Sequence, residues 1–210
     1  MSKYCKICFE ELKIKPIRKL IEIEPFICDN CLKQMPINLK LEKINFVNTL
    51  FLSNYNSIFK NLLKNYKEYK DVELSPCFLF PFLNLIKLLY HDYIFIPCPS
   101  SENKIKERGF NHLEEILKSC NLKYELVLEK KEETEQKNLT ITERFKKDTI
   151  YLKPGYEHKI GNKKIVIFDD VLTTGSTLKN SIAIIKRCFP KSLKALIILD
   201  NNKENQLRIN

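Results

Sequence analysis

Apolar residues in this chain fall into short unbroken runs that alternate with stretches of helical spacing. The clearest case runs from Ile165 to Phe168, four apolar positions that lead into Asp169 and Asp170 and then into a hydroxyl-rich turn around Gly175. Leu178, Ile182, Ile185 and Phe189 follow at helical spacing until Pro190, so the pattern predicts a buried strand, a loop and a helix. Tyr93 to Pro97 predicts a strand closed by Pro97-Cys98-Pro99, and Leu113, Ile116, Leu117 and Cys120 predict a helix behind it. Lys123 to Leu128 supplies the next strand, which makes a right-handed strand-helix-strand unit and hence a parallel sheet. Thr149 to Leu152 and Leu193 to Leu199 add two further strands.

Between these runs the pattern is weaker. Pro36 to Val47 has no clear period and reads as a connector, and Cys77 to Tyr90, interrupted by Pro81, Asn84 and Lys87, reads as a buried helix. Ile58, Phe59, Leu62, Leu63 and Tyr66 form one stripe of a helix that carries Lys60, Lys64 and Lys67 on a different face. Glu129 to Lys147 is densely charged and reads as a flap, with Thr140 and Glu143 set for a capping box; residues 154–162 are a turn-rich link. The polar tail from Asn201 is expected to fray.

The loop after Phe168 has the chemistry of a phosphate cradle. A helix N-terminus offers free N–H groups and positive potential, Thr173, Thr174, Ser176 and Thr177 add hydroxyls, and Gly175 lets the backbone close around an anion. Carboxylates repel phosphate, so Asp169 and Asp170 need another partner, and vicinal sugar hydroxyls fit. No GxxxxGK[ST] occurs, which excludes a nucleotide P-loop.

Composition adds a metal site and a charge. Cys5-x2-Cys8 and Cys28-x2-Cys31, 19 residues apart, have the spacing of two zinc knuckles that complete a closed four-sulfur site; a redox pair would not need two copies. A module this small depends on the metal for its folding free energy. Cys77, Cys98, Cys120 and Cys188 lie in apolar surroundings and are not expected to hold metal. The 210 residues carry a net charge of +10, and the first 70 hold 13 basic against 7 acidic residues, which favours a polyanionic partner. The lysine row with nearby Tyr66 and Tyr69 suits single-stranded DNA, although a solvated amphipathic helix shows the same pattern. No signal peptide and no run near the ~20 apolar residues of a membrane span are evident, so a cytoplasmic location is expected.

The string FDDVLTTGST resembles the binding motif of type I phosphoribosyltransferases. With the four-cysteine finger and the KERGFN string at Lys106 to Asn111, in that order, the chain resembles the ComF family of competence proteins over nearly its whole length. That resemblance implies an α/β fold: a type I phosphoribosyltransferase-like parallel sheet with helices on both faces, preceded by a small N-terminal four-cysteine zinc finger. It implies a division into 1–36 as finger, 37–90 as helical connector with the basic helix, and 91–210 as the phosphoribosyltransferase-like domain. It also implies phosphoribosyl pyrophosphate with magnesium as ligand, Asp169 and Asp170 on the ribose, Thr173 to Thr177 on its 5′-phosphate, and Ser100 and Ser101 as the pyrophosphate loop. Single-stranded DNA on Lys60, Lys64, Lys67 and Arg108, and a competence helicase as a protein partner, belong to the same expectation. His112 replaces the family's usual glutamine, and Asn56 replaces a glycine. In the flap, Gln136, Leu139 and Arg144 match the family's signature, but Phe145-Lys146-Lys147 lacks its asparagine. The alternative is an active phosphoribosyltransferase; no segment identifies an acceptor or a catalytic residue.

Overall fold

The computed structural model describes residues 3–12, 26–131 and 149–201. Seven strands are present among them: β1 (Lys40–Ile44), β2 (Val47–Asn54), β3 (Ile94–Pro97), β4 (Leu128–Lys131), β5 (Thr149–Leu152), β6 (Lys164–Leu172) and β7 (Ser192–Asp200). Five form the central sheet in the order β1–β2–β7–β6–β3, while β4 and β5 make a separate antiparallel pair. The strands β2, β7, β6 and β3 run parallel; only β1 turns back, antiparallel to β2. As a doubly covered parallel sheet requires, Ile165 to Phe168 and Ala195 to Leu199 are fully buried.

Six α-helices are present among the described residues: α1 (Asp29–Gln34), α2 (Ser57–Lys67), α3 (Leu83–Leu89), α4 (Glu102–Arg108), α5 (His112–Ser119) and α6 (Ser176–Lys186). Helix α5 packs on β3, β6 and the 72–78 segment, which also receives α2; α6 packs on β6 and β5. The stripe predicted for α2 is buried at Phe59, Leu62, Leu63 and Tyr66, and Asn56 caps the helix by accepting from Phe59 N–H at 3.0 Å. In α6, Leu178, Ile182 and Ile185 face the core, but the helix ends at Lys186 and Phe189, with φ of 50°, is exposed.

Several expectations are corrected. Residues 37–90 are not simply a helical connector, because β1 and β2 lie within them and β2 joins the central sheet, with Thr49 opposite Ala195. The turn between them, Asn45-Phe46, has φ of 50° and 62°, the left-handed pair of a two-residue hairpin. Strand β1 was hidden because it is an edge strand with charges at Lys40, Glu42 and Lys43. Lys40 nevertheless fastens it to the sheet through Asp200 at 2.8 Å. Cys77 to Tyr90 is not one helix: prolines 76 and 81 divide the region into 3-10 turns at Val72–Phe78 and Phe80–Phe82 followed by α3. The 18 residues Val72–Leu89 reach a mean hydropathy of 1.5, enough by length and composition to cross a membrane, which exceeds the sequence expectation; half of the stretch is buried inside the protein. Between Lys123 and Leu128 only a bridge from Tyr124 to Phe95 forms before β4 begins. The capping box at Thr140 and Glu143, the Gln136, Leu139 and Arg144 signature, residues 145–147 and the tail beyond Asn201 lie outside the described residues.

Candidate functional site

The N-terminal cysteines converge. The sulfurs of Cys5, Cys8, Cys28 and Cys31 all lie within 4.8 Å of one another, and those of Cys8 and Cys28 are 3.6 Å apart. Thiolates about 2.3 Å from a tetrahedral zinc sit about 3.8 Å from each other, so the cluster fits that ion. Backbone N–H groups already point at the sulfurs, from Ile7 (3.5 Å) and Cys28 (3.3 Å) to Cys5 and from Cys31 (3.4 Å) to Cys28. Burial pushes the Cys5 thiol up, but the backbone N–H bonds outweigh it and bring the group down to about 7, whereas burial and the neighbouring thiols push Cys31 up. The finger is seated on the core: Phe26 meets Phe80 edge-on at 5.7 Å, and Lys6 pairs with Glu73.

The second centre is the carboxyl end of β6. Gly175 stands at φ of 71° as N-cap of α6, and a Cβ there would meet Leu172 at 3.3 Å, so only glycine closes this turn without strain. Gly175 brings no capping side chain, and Thr174 Oγ1 accepts from the first helical N–H, that of Ser176, at 3.4 Å. Thr173, Thr174 and Ser176 are exposed beside its first N–H groups, and Thr174 Oγ1 lies 3.2 Å from Ser176 Oγ. This is an anion-ready helix start.

Asp169 and Asp170 are successive residues of an extended strand, so their carboxylates leave β6 on opposite faces. Asp169 faces Cys98, whose thiol lies 3.8 Å from Ser181 of α6. Burial, with Asp170 next door, pushes the Asp169 carboxyl up to about 7. Asp170 faces α2 and α5. Its Oδ1 accepts from Val171 N–H at 2.9 Å, and its Oδ2 pairs with Lys67 and lies 3.4 Å from His112 Nε2. Burial alone would raise this carboxyl; Lys67 and then His112 reverse the effect and hold it far below the ordinary range.

His112 and Lys67 are thus parts of the site whose roles the sequence did not reveal. Burial lowers the His112 pKa, which Asp170 only partly offsets, so the ring is neutral near pH 7. A neutral ring facing a carboxylate carries its proton on Nε2, leaving Nδ1 to accept from Ser100 Oγ at 3.4 Å. Arg108 stacks its guanidinium 6.0 Å over Phe110, with Nε and Nη1 buried and lacking hydrogen-bond acceptors.

The remaining expected residues are dispersed. Ser100 joins this cluster, whereas Ser101 is almost fully buried with no partner for its hydroxyl. Lys60 and Lys64 are exposed on α2, with Lys64 5.5 Å over the Tyr69 ring. Lys67 leaves that row for Asp170. Tyr66 is corrected from a stacking residue to a core residue: it is fully buried, and its hydroxyl donates to the His112 carbonyl at 2.7 Å. A cavity of 840 Å³ opens between the Pro97–Ser100 loop, α4–α5 and the β4–β5 pair, lined among others by Asn111, Glu114, Glu129 and Tyr151. It borders the acidic pair only through the Pro97–Ser100 loop.

Comparison with known proteins bears on this centre. The sequence model of the Phosphoribosyl transferase domain family matches residues 105–209, half of the chain, including Arg108, His112, the acidic pair and the whole of α6. The chain belongs to that family. The chain has the parallel sheet with helices on both faces expected of that family, the match containing its strands β6 and β7, and the four-cysteine cluster precedes it. The chain is 28% identical over 69% of its length to Competence protein ComFC of Streptococcus pneumoniae and 26% identical over 59% to Competence protein ComFC of Bacillus subtilis. It spans 64% and 52% of the lengths of those relatives, and they uphold the competence-family resemblance. Among solved structures, the Trypanosoma cruzi hypoxanthine phosphoribosyl transferase is 16% identical, covering 64% of this chain and 66% of that one at a TM-score of 0.37. A Bacillus anthracis hypoxanthine-guanine phosphoribosyltransferase is 14% identical, covering 62% and 70% at 0.40.

Proposed function

We propose that this chain binds phosphoribosyl pyrophosphate and handles single-stranded DNA during natural transformation. The observation that carries the first part is the end of β6, where two carboxylates precede a glycine-closed, hydroxyl-lined turn into the start of α6. The turn suits the 5′-phosphate, Asp169 and Asp170 the ribose hydroxyls, and Ser100 the pyrophosphate. Magnesium, when bound with the ligand, supplies charge neutralisation for the pyrophosphate. The competence part is supported by the names of the two relatives, by the net charge of +10 and by the exposed Lys60 and Lys64. A cytoplasmic location and a helicase partner belong to the same reading.

Calorimetry with phosphoribosyl pyrophosphate and magnesium tests the site. Asp169→Asn with Asp170→Asn should weaken binding more than about tenfold, since the charge-assisted hydrogen bond of Asp170 alone contributes about 1.5–3 kcal/mol. Equal affinity in the double variant would refute it. The DNA surface is tested by anisotropy across a salt series. Lys67 being engaged, Lys60→Ala with Lys64→Ala should flatten the log–log salt slope by about 1.4, at about 0.7 per phosphate contact on a single strand. An unchanged slope would remove this surface.

The 840 Å³ cavity beside the Pro97–Ser100 loop favours a second reading, an active phosphoribosyltransferase whose acceptor enters there. Pyrophosphate release in the presence of a panel of nucleobases and amines would establish it; no release with any acceptor would leave the binding function alone.

A further inference from the structure

Lys60, Lys64 and Lys67 follow one another at i, i+4 and i+7 on α2, yet they do different things. Lys60 and Lys64 are exposed, while Lys67 turns its ammonium onto Asp170 Oδ2. Asp170 is thereby neutralised: Val171 N–H donates to Oδ1, while Oδ2 carries the Lys67 ion pair and the His112 contact without forming a hydrogen bond, and the residue is 5% exposed. That oxygen keeps its acceptor capacity, but the Lys67 ammonium stands where a sugar hydroxyl would approach it. Close enough to Asp170 to feel its charge, Arg108 keeps its Nε and Nη1 nitrogens buried without acceptors. The site therefore holds one cation already spent on Asp170 and a second one without a hydrogen-bond acceptor.

Resting on the sugar-phosphate reading above, we propose that Lys67 is an exchangeable counter-ion that couples the lysine face of α2 to the sugar site. A nucleic-acid phosphate arriving beside Lys60 and Lys64 draws Lys67 off Asp170. Arg108 then balances the carboxylate, and the side of Oδ2 that Lys67 leaves accepts a sugar hydroxyl. Because coupling between two binding sites is reciprocal, sugar-phosphate binding equally releases Lys67 towards the strand. His112, fixed between Ser100 and Asp170, holds the carboxylate in place through the exchange.

The test is a pair of titrations on the full chain: phosphoribosyl pyrophosphate with and without saturating oligothymidylate, and oligothymidylate with and without the sugar phosphate. Each ligand should tighten the other by the same factor, at least about fivefold. In Lys67→Met the sugar affinity without DNA should rise to the level that DNA gives the wild type, and the coupling should vanish. Removing a buried counter-ion can also unfold a protein. Lys60→Ala with Lys64→Ala, both at exposed positions, provides a second arm, in which the effect of DNA on sugar affinity should fall below about twofold. Equal affinities with and without the second ligand, or weaker sugar binding by a folded Lys67→Met, would overturn the exchange while leaving the sugar reading intact. Absence of sugar binding by the wild type in both conditions would remove both.

Discussion

Replacing Cys28 and Cys31 together with serine should reduce bound zinc from one ion per chain to none and detach the finger from the rest of the protein. Structural four-thiolate zinc contributes apparent binding free energies of about 10–16 kcal/mol, and a segment of this size has no core of its own to substitute. The loss should spread beyond the metal, because Phe26 packs on Phe80 and Lys6 on Glu73 within the most apolar stretch of the chain. Metal analysis should therefore read zero, a fluorescent hydrophobic probe should bind, and limited proteolysis should cut near the finger before the sheet. Cys120→Ala, at a buried position in the core, should keep its full complement of zinc. Zinc retained by the double serine variant, or lost from Cys120→Ala, would count against the site.

Replacing Asp170 with alanine should be the most destabilising single change at the sugar site. It leaves Lys67, His112 and Arg108 facing one another without their carboxylate, and breaking a buried ion pair in this way costs about 3–5 kcal/mol. Asp169→Asn should behave in the opposite sense. The folded protein holds the Asp169 proton up to about pH 7 while the unfolded chain releases it near 3.8, so the folded state binds more protons within that window and stability falls as pH rises through it. Asparagine removes this loss, so the variant should melt higher than wild type at pH 8 and match it near pH 4. Asp170, depressed in the fold, contributes stability that is present above its ordinary value of 3.8 and lost as pH falls below it. Thermal melts from pH 3 to pH 8 read all three effects; an Asp169→Asn melt parallel to wild type would contradict the assigned burial.

The parts of this protein legible in its sequence are those whose signal is local. Ile165 to Lys186 could be read because a buried run, two carboxylates, a glycine turn and a helical stripe follow each other without interruption. The four cysteines could be grouped because zinc ligation imposes its own spacing. Strand β1 could not be read, since Lys40 and Glu42 occupy its inward positions and are satisfied by Asp200 and by each other, a partnership invisible before β7 is placed. Tyr66 belonged both to an apolar stripe and to an aromatic-basic row, and burial settled it for the stripe. Periodicity put Lys67 on a face of α2 but gave no means of seeing that a carboxylate from β6 arrives there. The same holds for His112, which sits beside a recognisable string and acquires its role only from the carboxylate and serine that the fold brings to its two nitrogens.

The pairing of β2 with β7 sets the order in which this protein can be made. Thr49 finds its partner at Ala195, and Asn54 at Asp200, so β2 leaves the ribosome with its inner edge unpaired until β7 emerges, although the basic helix that follows can already pack on residues 72–78. Such long-range parallel contacts close slowly, and in the meantime the unpaired edge of β2 stands open to other chains. Nascent chains stalled before residue 192 should accordingly depend on chaperones, and a truncation that removes β7 should cost the chain its hairpin and its lysine face as well as one strand.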